Sequence, residues 1–213
     1  MTKSQPATYS DADEILKGLN QPQRQAVTHM DGPLLILAGA GSGKTTVLTR
    51  RVAYLISRGV EPWSILAITF TNKAANELKS RIRALLGNKA EGVWAMTFHA
   101  ACLRILRTEY PAIGKDARFA IMDTHDQLRI MRQVLKEMNL SERQYSPSGM
   151  LRIISGAKDK LWDPDTLAKQ AVSFYETKAA QAYALYQKKL TELNGMGFDD
   201  LIMQTVLLLR EHK

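Results

Sequence analysis

The sequence holds one cysteine, Cys102, in 213 residues. An internal disulfide and a cysteine-built zinc site are thereby excluded, and the residue reads as a small buried apolar side chain. No apolar run approaches the roughly 20 residues that cross a bilayer, and Met1 to Ser10 is polar, without the apolar centre of a secretion signal. A cytoplasmic chain with no membrane segment is the expectation. What is there is ordinary in most respects: 45% apolar residues suits a packed core, and the length suffices for one large domain or two small ones. Charge is the imbalance. The 29 Lys and Arg against 21 Asp and Glu leave a net charge of +8, which favours a polyanionic partner but is also compatible with plain solubility.

The stretch from Pro33 to Thr46 organises the rest. Its unbroken apolar run, Leu34 to Ala38, has the length and flanks of a buried strand, and Val47 to Ser57 has the pattern of a helix. Between them lies a glycine-rich loop that fits the phosphate-cradling pattern, with Gly43, Lys44 and Thr45 in place and Ala38 where the pattern's first glycine usually stands. Backbone N–H groups of Ala38, Gly39, Ala40, Gly41, Ser42 and Gly43, with the helix start behind them, can point at a polyphosphate, and glycines let the backbone come that close. Lys44 would then meet the β and γ oxygens, and the Thr45 hydroxyl would hold Mg²⁺. A glycine-rich turn with an accidental Gly-Lys-Thr is the plainer alternative; the strand before and the helix after argue against it.

Residues 1 to 10 read as disordered, with Ser10 able to cap a short helix through Leu19. Asn20 or Gln21 then caps a helix with Pro22 in its first turn. Gln23, in that helix, carries one acceptor and two donors, so it can read the N6 and N7 edge of adenine; by itself it reads more readily as a solvated helix residue. Ser64 to Phe70 reads as a second strand feeding a helix to about Leu86, and Val93 to Thr97 as a third feeding a Leu- and Arg-rich helix that ends near Pro111. Three strands each followed by a helix predict a doubly wound parallel sheet, whose ligands sit at the carboxyl ends of the strands, where Phe70 and His99 lie. From about Ala112 the pattern turns helical: Asp126 to Met138, Ser148 to Lys158, Asp165 to Ser173 and Lys178 to Asn194, with only Phe119 to Met122 extended. Gly195-Met196-Gly197 reads as a return linker, and a last helix starts at Phe198. Asp123 ends a short apolar strand, as a Mg²⁺-organising carboxylate would. With Thr124 it reads instead as a helix cap.

Together these motifs closely resemble the N-terminal part of the UvrD/PcrA/Rep family of superfamily 1 DNA helicases. Leu19-Asn20 with Gln23 and Ala26-Val27 resembles the family's Q motif, Ala38 to Thr45 its Walker A, Thr69 to Ala75 its motif Ia, Thr97-Phe98-His99 the next DNA-contacting motif, and Phe198-Asp199-Asp200-Leu201 the segment before Walker B. The resemblance implies an α/β P-loop NTPase (RecA-like) fold, a parallel sheet with an inserted all-helical subdomain. Residues 1–111 and 195–213 would then belong to the first motor domain, and 112–194 to the insertion. It implies an enzyme using ATP and Mg²⁺ to walk 3′ to 5′ on single-stranded DNA and unwind forked DNA, in repair or replication and alongside proteins of those processes. Gln23 would read adenine; Ala38 to Thr46 would surround the nucleotide, with Lys44 and Thr45 catalytic and Thr45 the Mg²⁺ ligand; Phe70, Thr71, Asn72 and His99 would touch the strand. Stacking on an aromatic ring suits an enzyme that must pass any base. Two departures stand out. Thr46 replaces an arginine that commonly stacks on adenine in the family, and the chain stops before any Walker B, so the intact protein is expected to be an ATPase and this portion is not. A helicase–nuclease of the RecB or AddA kind, and a non-catalytic nucleotide- or nucleic-acid-binding module, are the rival readings.

Overall fold

Hydrophobic periodicity and helix caps account for most of the elements in the computed structural model, which describes residues 9–212. The backbone falls into two compact units, Met1–Ala101 and Cys102–Lys213. The fold is mixed α/β, mostly helical, with two small parallel sheets of two strands each among the described residues.

In the first unit, α1 (Tyr9–Leu16) already contains Ser10, which therefore does not precede the helix as its cap. The expectation of disorder over residues 1 to 10 fails at Tyr9 and Ser10, which are helical; the rest of that stretch lies outside the described residues. The helix ends before Gly18, whose φ of 76° turns the chain. α2 (Gln21–Thr28) starts on Asn20 as the sequence indicated: Asn20 Oδ1 accepts the Gln23 N–H at 3.0 Å, and Gln23 Oε1 accepts the Asn20 N–H at 3.2 Å. This reciprocal box satisfies two of the donors that a helix start leaves open. α3 (Lys44–Ser57) follows the glycine-rich loop. Two of its arginines fasten the preceding helices: Arg50 donates to the carbonyls of Glu14 and Ile15, and Arg51 to those of Ala26 and His29. These carbonyls belong to helix ends, where acceptors otherwise lack partners.

β1 (Leu66–Thr69) and β2 (Trp94–Thr97) pair in parallel with Thr69 opposite Thr97. α4 (Asn72–Leu86) crosses between them, capped by the Thr71 hydroxyl, which accepts the Ala74 N–H at 3.1 Å. Val52, Ile65, Ala67, Leu78 and Ile82 form the core beneath. α5 (Phe98–Glu109) starts directly after β2 and runs into the second unit.

Residues 34–38 correct the sequence reading. They form no strand, and Leu35 and Leu37 are 82% and 87% exposed. An apolar run becomes a buried strand only where neighbours take up its N–H and C=O groups and cover its faces. Here β1 and β2 pair with each other, so the expected three-stranded sheet is a pair.

The second unit is helical around one short ladder. α6 (Thr124–Glu137), α7 (Pro147–Asp159), α8 (Pro164–Gln170) and α9 (Phe174–Glu192) are capped by Asp123, Ser146, Asp163 and Ser173, each accepting a backbone N–H of the first turn. Asp123 is thus a cap, as read from sequence. Their apolar faces meet in a core that includes Met131, Leu135, Met150, Ile154, Tyr183, Tyr186 and Leu190. The segment read as a return linker is partly a strand: β4 (Gly195–Met196) pairs in parallel with β3 (Ala120–Ile121). Gly195 lets the Met122 side chain lie close against the ladder, since a Cβ there would stand 2.3 Å from Met122 Cε and the side chain would have to shift. α10 (Phe198–Glu211) follows, and Leu106, Tyr110, Phe119, Leu201 and Leu208 form a second core cluster, with half-buried Cys102 packed against it.

Candidate functional site

The glycine-rich loop meets α3 at Gly43, whose φ of 82° is left-handed, and no side chain caps the helix. The donors of the first turn are therefore left to a ligand, and a helix start favours an anionic one. Gly41 is also left-handed, at φ 77°, and a Cβ added at Gly39 or Gly41 would meet no atom within 4 Å. Space lies open beside the loop. Lys44 folds back over it, its Nζ donating to the carbonyls of Ala38 at 2.8 Å and Gly39 at 2.5 Å. An ammonium held only by neutral carbonyls of its own loop is poised to exchange them for phosphate oxygens, a charge-assisted and stronger bond. Ser42 Oγ donates to the Gly39 carbonyl at 2.7 Å and tightens the turn. Ala40 and Thr45 are exposed and Thr46 is half-buried. These residues fit a polyphosphate: a helix start with no side-chain cap, left-handed glycines at 41 and 43, and the Lys44 ammonium beside the loop. Among the described residues no cluster of three or more His, Cys, Asp or Glu could hold a metal.

Gln23 reaches the same loop. Its Nε2 donates to the Ser42 carbonyl at 3.1 Å. The helix bearing it is held at its far end by Arg51. Sequence reasoning missed Arg50 and Arg51; adjacent arginines on a helix give no signal until the carbonyls they hold are known.

The second group of predicted residues gathers where β1 and β2 end side by side. Phe70 follows β1 and is 90% exposed. Its ring lies 5.6 Å from that of Phe98, which follows β2 and is 44% exposed, with 44° between the planes. Exposed Asn72 opens α4 and exposed His99 lies in the first turn of α5. Thr71 uses its hydroxyl oxygen for the α4 cap. Two rings tilted together in solvent form a surface on which a flat, uncharged face can stack. Phe98 was absent from the predicted contacts, although its place directly after a strand end, like that of Phe70, was a usable signal.

The chain resembles known proteins over nearly its whole length. The model of the UvrD/REP helicase N-terminal domain matches residues 19–213. The ATP-dependent DNA helicase PcrA of Bacillus subtilis (strain 168) is 48% identical over 198 residues, covering 92% of this chain and 27% of that protein. PcrA of Staphylococcus epidermidis and PcrA of Staphylococcus aureus (strain Mu50) are each 44% identical over 195 residues, 91% of this chain and again 27% of theirs. The chain therefore spans about a quarter of the length of these relatives. With the motifs in order and matched over residues 19–213, this chain belongs to the UvrD/REP helicase N-terminal domain family.

Proposed function

We propose that the chain is the ATP-binding portion of a superfamily 1 DNA helicase that couples ATP hydrolysis to 3′–5′ movement along single-stranded DNA and unwinding of forked duplex, in repair or replication. In that reading residues 1–111 and 195–213 belong to the first RecA-like motor domain and residues 112–194 are its helical insertion. The observation that carries it is the exposed Phe70, 90% accessible and set against Phe98 at the ends of paired parallel strands, in the same unit as the phosphate loop. Two aromatic rings set together at adjacent strand ends suit a base that passes over them.

Bound Mg²⁺–ATP would supply a phosphoryl group whose transfer to water drives the motor. The chain's own residues do the holding. Lys44 leaves the Ala38 and Gly39 carbonyls for phosphate oxygens, backbone donors of residues 39–45 orient the polyphosphate, Thr45 offers a hydroxyl to Mg²⁺, and Gln23 reads adenine. Phe70 stacks bases without choosing among them, and Asn72 and His99 add polar contacts to the strand. The net charge of +8 assists by releasing counterions from the phosphates.

Titration of the chain with fluorescent single-stranded DNA at several salt concentrations tests the strand path. Affinity should fall with log salt by about 0.7 per neutralised phosphate, and Phe70→Ala should cost about 1–3 kcal/mol. A Phe70→Ala protein that binds as wild type would remove Phe70 from the path. In parallel, Lys44→Ala should abolish ATP binding; unchanged ATP affinity would overturn the phosphate-loop assignment.

A further inference from the structure

Phe70 is almost fully exposed, so apart from the Phe98 ring little packs against it, and its direction is set by its backbone. Hydroxyls hold that backbone. Thr69, the last residue of β1, donates through Oγ1 to the Thr71 carbonyl at 3.1 Å, a bond that spans Phe70 alone. The same carbonyl accepts the Ala75 N–H at 3.0 Å, the first bond of α4, while the Thr71 hydroxyl caps that helix. Phe70 is thus the single residue between a strand end and a helix start that are tied to each other across it.

β2 ends in a related way. Thr97 is the partner of Thr69 in the ladder register, and its Oγ1 accepts the Ala100 N–H at 3.3 Å, which makes it a cap of α5. Phe98 is the first residue of that helix. A cap fixes where a helix begins, and hence which way its first side chain leaves the axis. Neither hydroxyl is needed for the ladder, whose bonds join backbone groups. Thr97 is buried, so it does not meet a strand itself; it acts through the ring beside it. Two rings 5.6 Å apart offer a base one surface only while both keep their places. A loose bend would have to be ordered each time a base arrived, at a cost in affinity that a bend already fixed avoids.

We propose that Thr69 and Thr97, opposed at the end of the β1–β2 ladder, are positioning residues of the strand path: their hydroxyls hold the turns that carry Phe70 and Phe98, so that the two rings meet as one stacking surface. The inference rests on the strand reading given above. It extends that reading from the rings that touch bases to the two hydroxyls that aim them.

The test is anisotropy titration of the chain with a fluorescein-labelled oligothymidylate, for wild type, Thr69→Val, Thr97→Val and the corresponding serine variants. Each valine is also combined with loss of the ring in its own turn, Phe70→Ala or Phe98→Ala. Valine keeps the branched carbon and the strand preference and loses only the hydroxyl. Each valine should weaken binding about three- to tenfold, the ordinary net worth of one hydrogen bond. Each serine, which keeps the hydroxyl, should bind as wild type. Where the ring is already alanine, the valine should cost nothing further, because its effect passes through the ring. Valines that bind as wild type, while Phe70→Ala weakens binding, would overturn the proposal and leave the strand path standing. So would a valine that costs as much without the ring as with it, or a serine as weak as the valine. A wild type that binds no oligonucleotide, or a Phe70→Ala protein that binds as wild type, removes the strand path itself and this inference with it.

Discussion

Lys158 and Asp200 show how much a single pair can decide. Their side chains are 3% and 1% exposed and meet at 2.6 Å, in a site shared with Gln187, which donates to Asp200 Oδ1 at 3.2 Å, and the Gly197 N–H, which donates to Oδ2 at 2.9 Å. The Lys158 Nζ also lies 5.5 Å and 5.3 Å from the ring centres of Tyr183 and Tyr186. Burial, and then the Asp200 charge, push both phenols above their ordinary range, so they remain O–H donors to the Trp162 carbonyl and Gln127 Oε1. Two buried charges gain little net stability from each other, but losing one strands the other. Lys158→Met should cost about 3–5 kcal/mol in urea unfolding. Adding Asp200→Asn, which removes the stranded charge and keeps an acceptor for Gly197, should recover part of that loss. Additive losses in the double variant would show that the two side chains are not coupled.

At the scale of elements, the helix starts are written locally, and α9 has the most complete one. Ser173 Oγ accepts the Glu176 N–H at 3.2 Å, while Glu176 Oε2 accepts the N–H groups of Val172 at 2.9 Å and Ser173 at 3.1 Å. The Val172 N–H above all, then the Ser173 hydroxyl, hold the Glu176 carboxyl below its ordinary 4.5. The sign follows from the depressed value. The contribution is complete above 4.5, where the unfolded chain is also ionised, and is lost as pH falls from there through the lower folded value. The denaturation midpoint of wild type should therefore fall more steeply below pH 4.5 than that of Glu176→Gln, with the two converging toward acid. Parallel curves would mean that the capping carboxylate carries no share of acid stability. The sequence reading nevertheless runs one helix on to Ser173 and begins the next at Lys178, whereas α8 stops at Gln170 and Ser173 caps α9. The starts at Asn20 and Asp123 were legible because the cap residue and its N–H partner lie three positions apart. Starts whose cap lies elsewhere were not: α3 begins on a left-handed glycine with no side-chain cap, and β4 was read as a linker because its partner, β3, lies 75 positions earlier in the Ala120–Gly195 register.

At the scale of the whole molecule, an apolar run read from sequence as a buried strand lies exposed. With Leu35 and Leu37 at 82% and 87% exposure, replacing both by Lys should change stability by no more than about 0.5 kcal/mol each. Leu78→Ala, at 1% exposure in the first unit's core, should cost about 2–5 kcal/mol. Losses at Leu35 and Leu37 as large as at Leu78 would show that the run is covered in solution.

The contrast separates what each source decides. The glycine loop, Lys44 and Thr45, the caps at Asn20 and Asp123, and the strand-to-helix order around Phe70 and His99 depend on neighbours within a few positions, and the amino-acid order alone determined them. Whether residues 34–38 are covered, which carbonyls Arg50 and Arg51 hold, how Phe98 meets Phe70, and that the Gln23 amide is pinned between Asn20 and Ser42 were decided only by the tertiary structure. Coverage, ring pairing and a hydrogen bond across 19 positions each require groups from different segments to arrive together, and no local pattern records which group will be waiting.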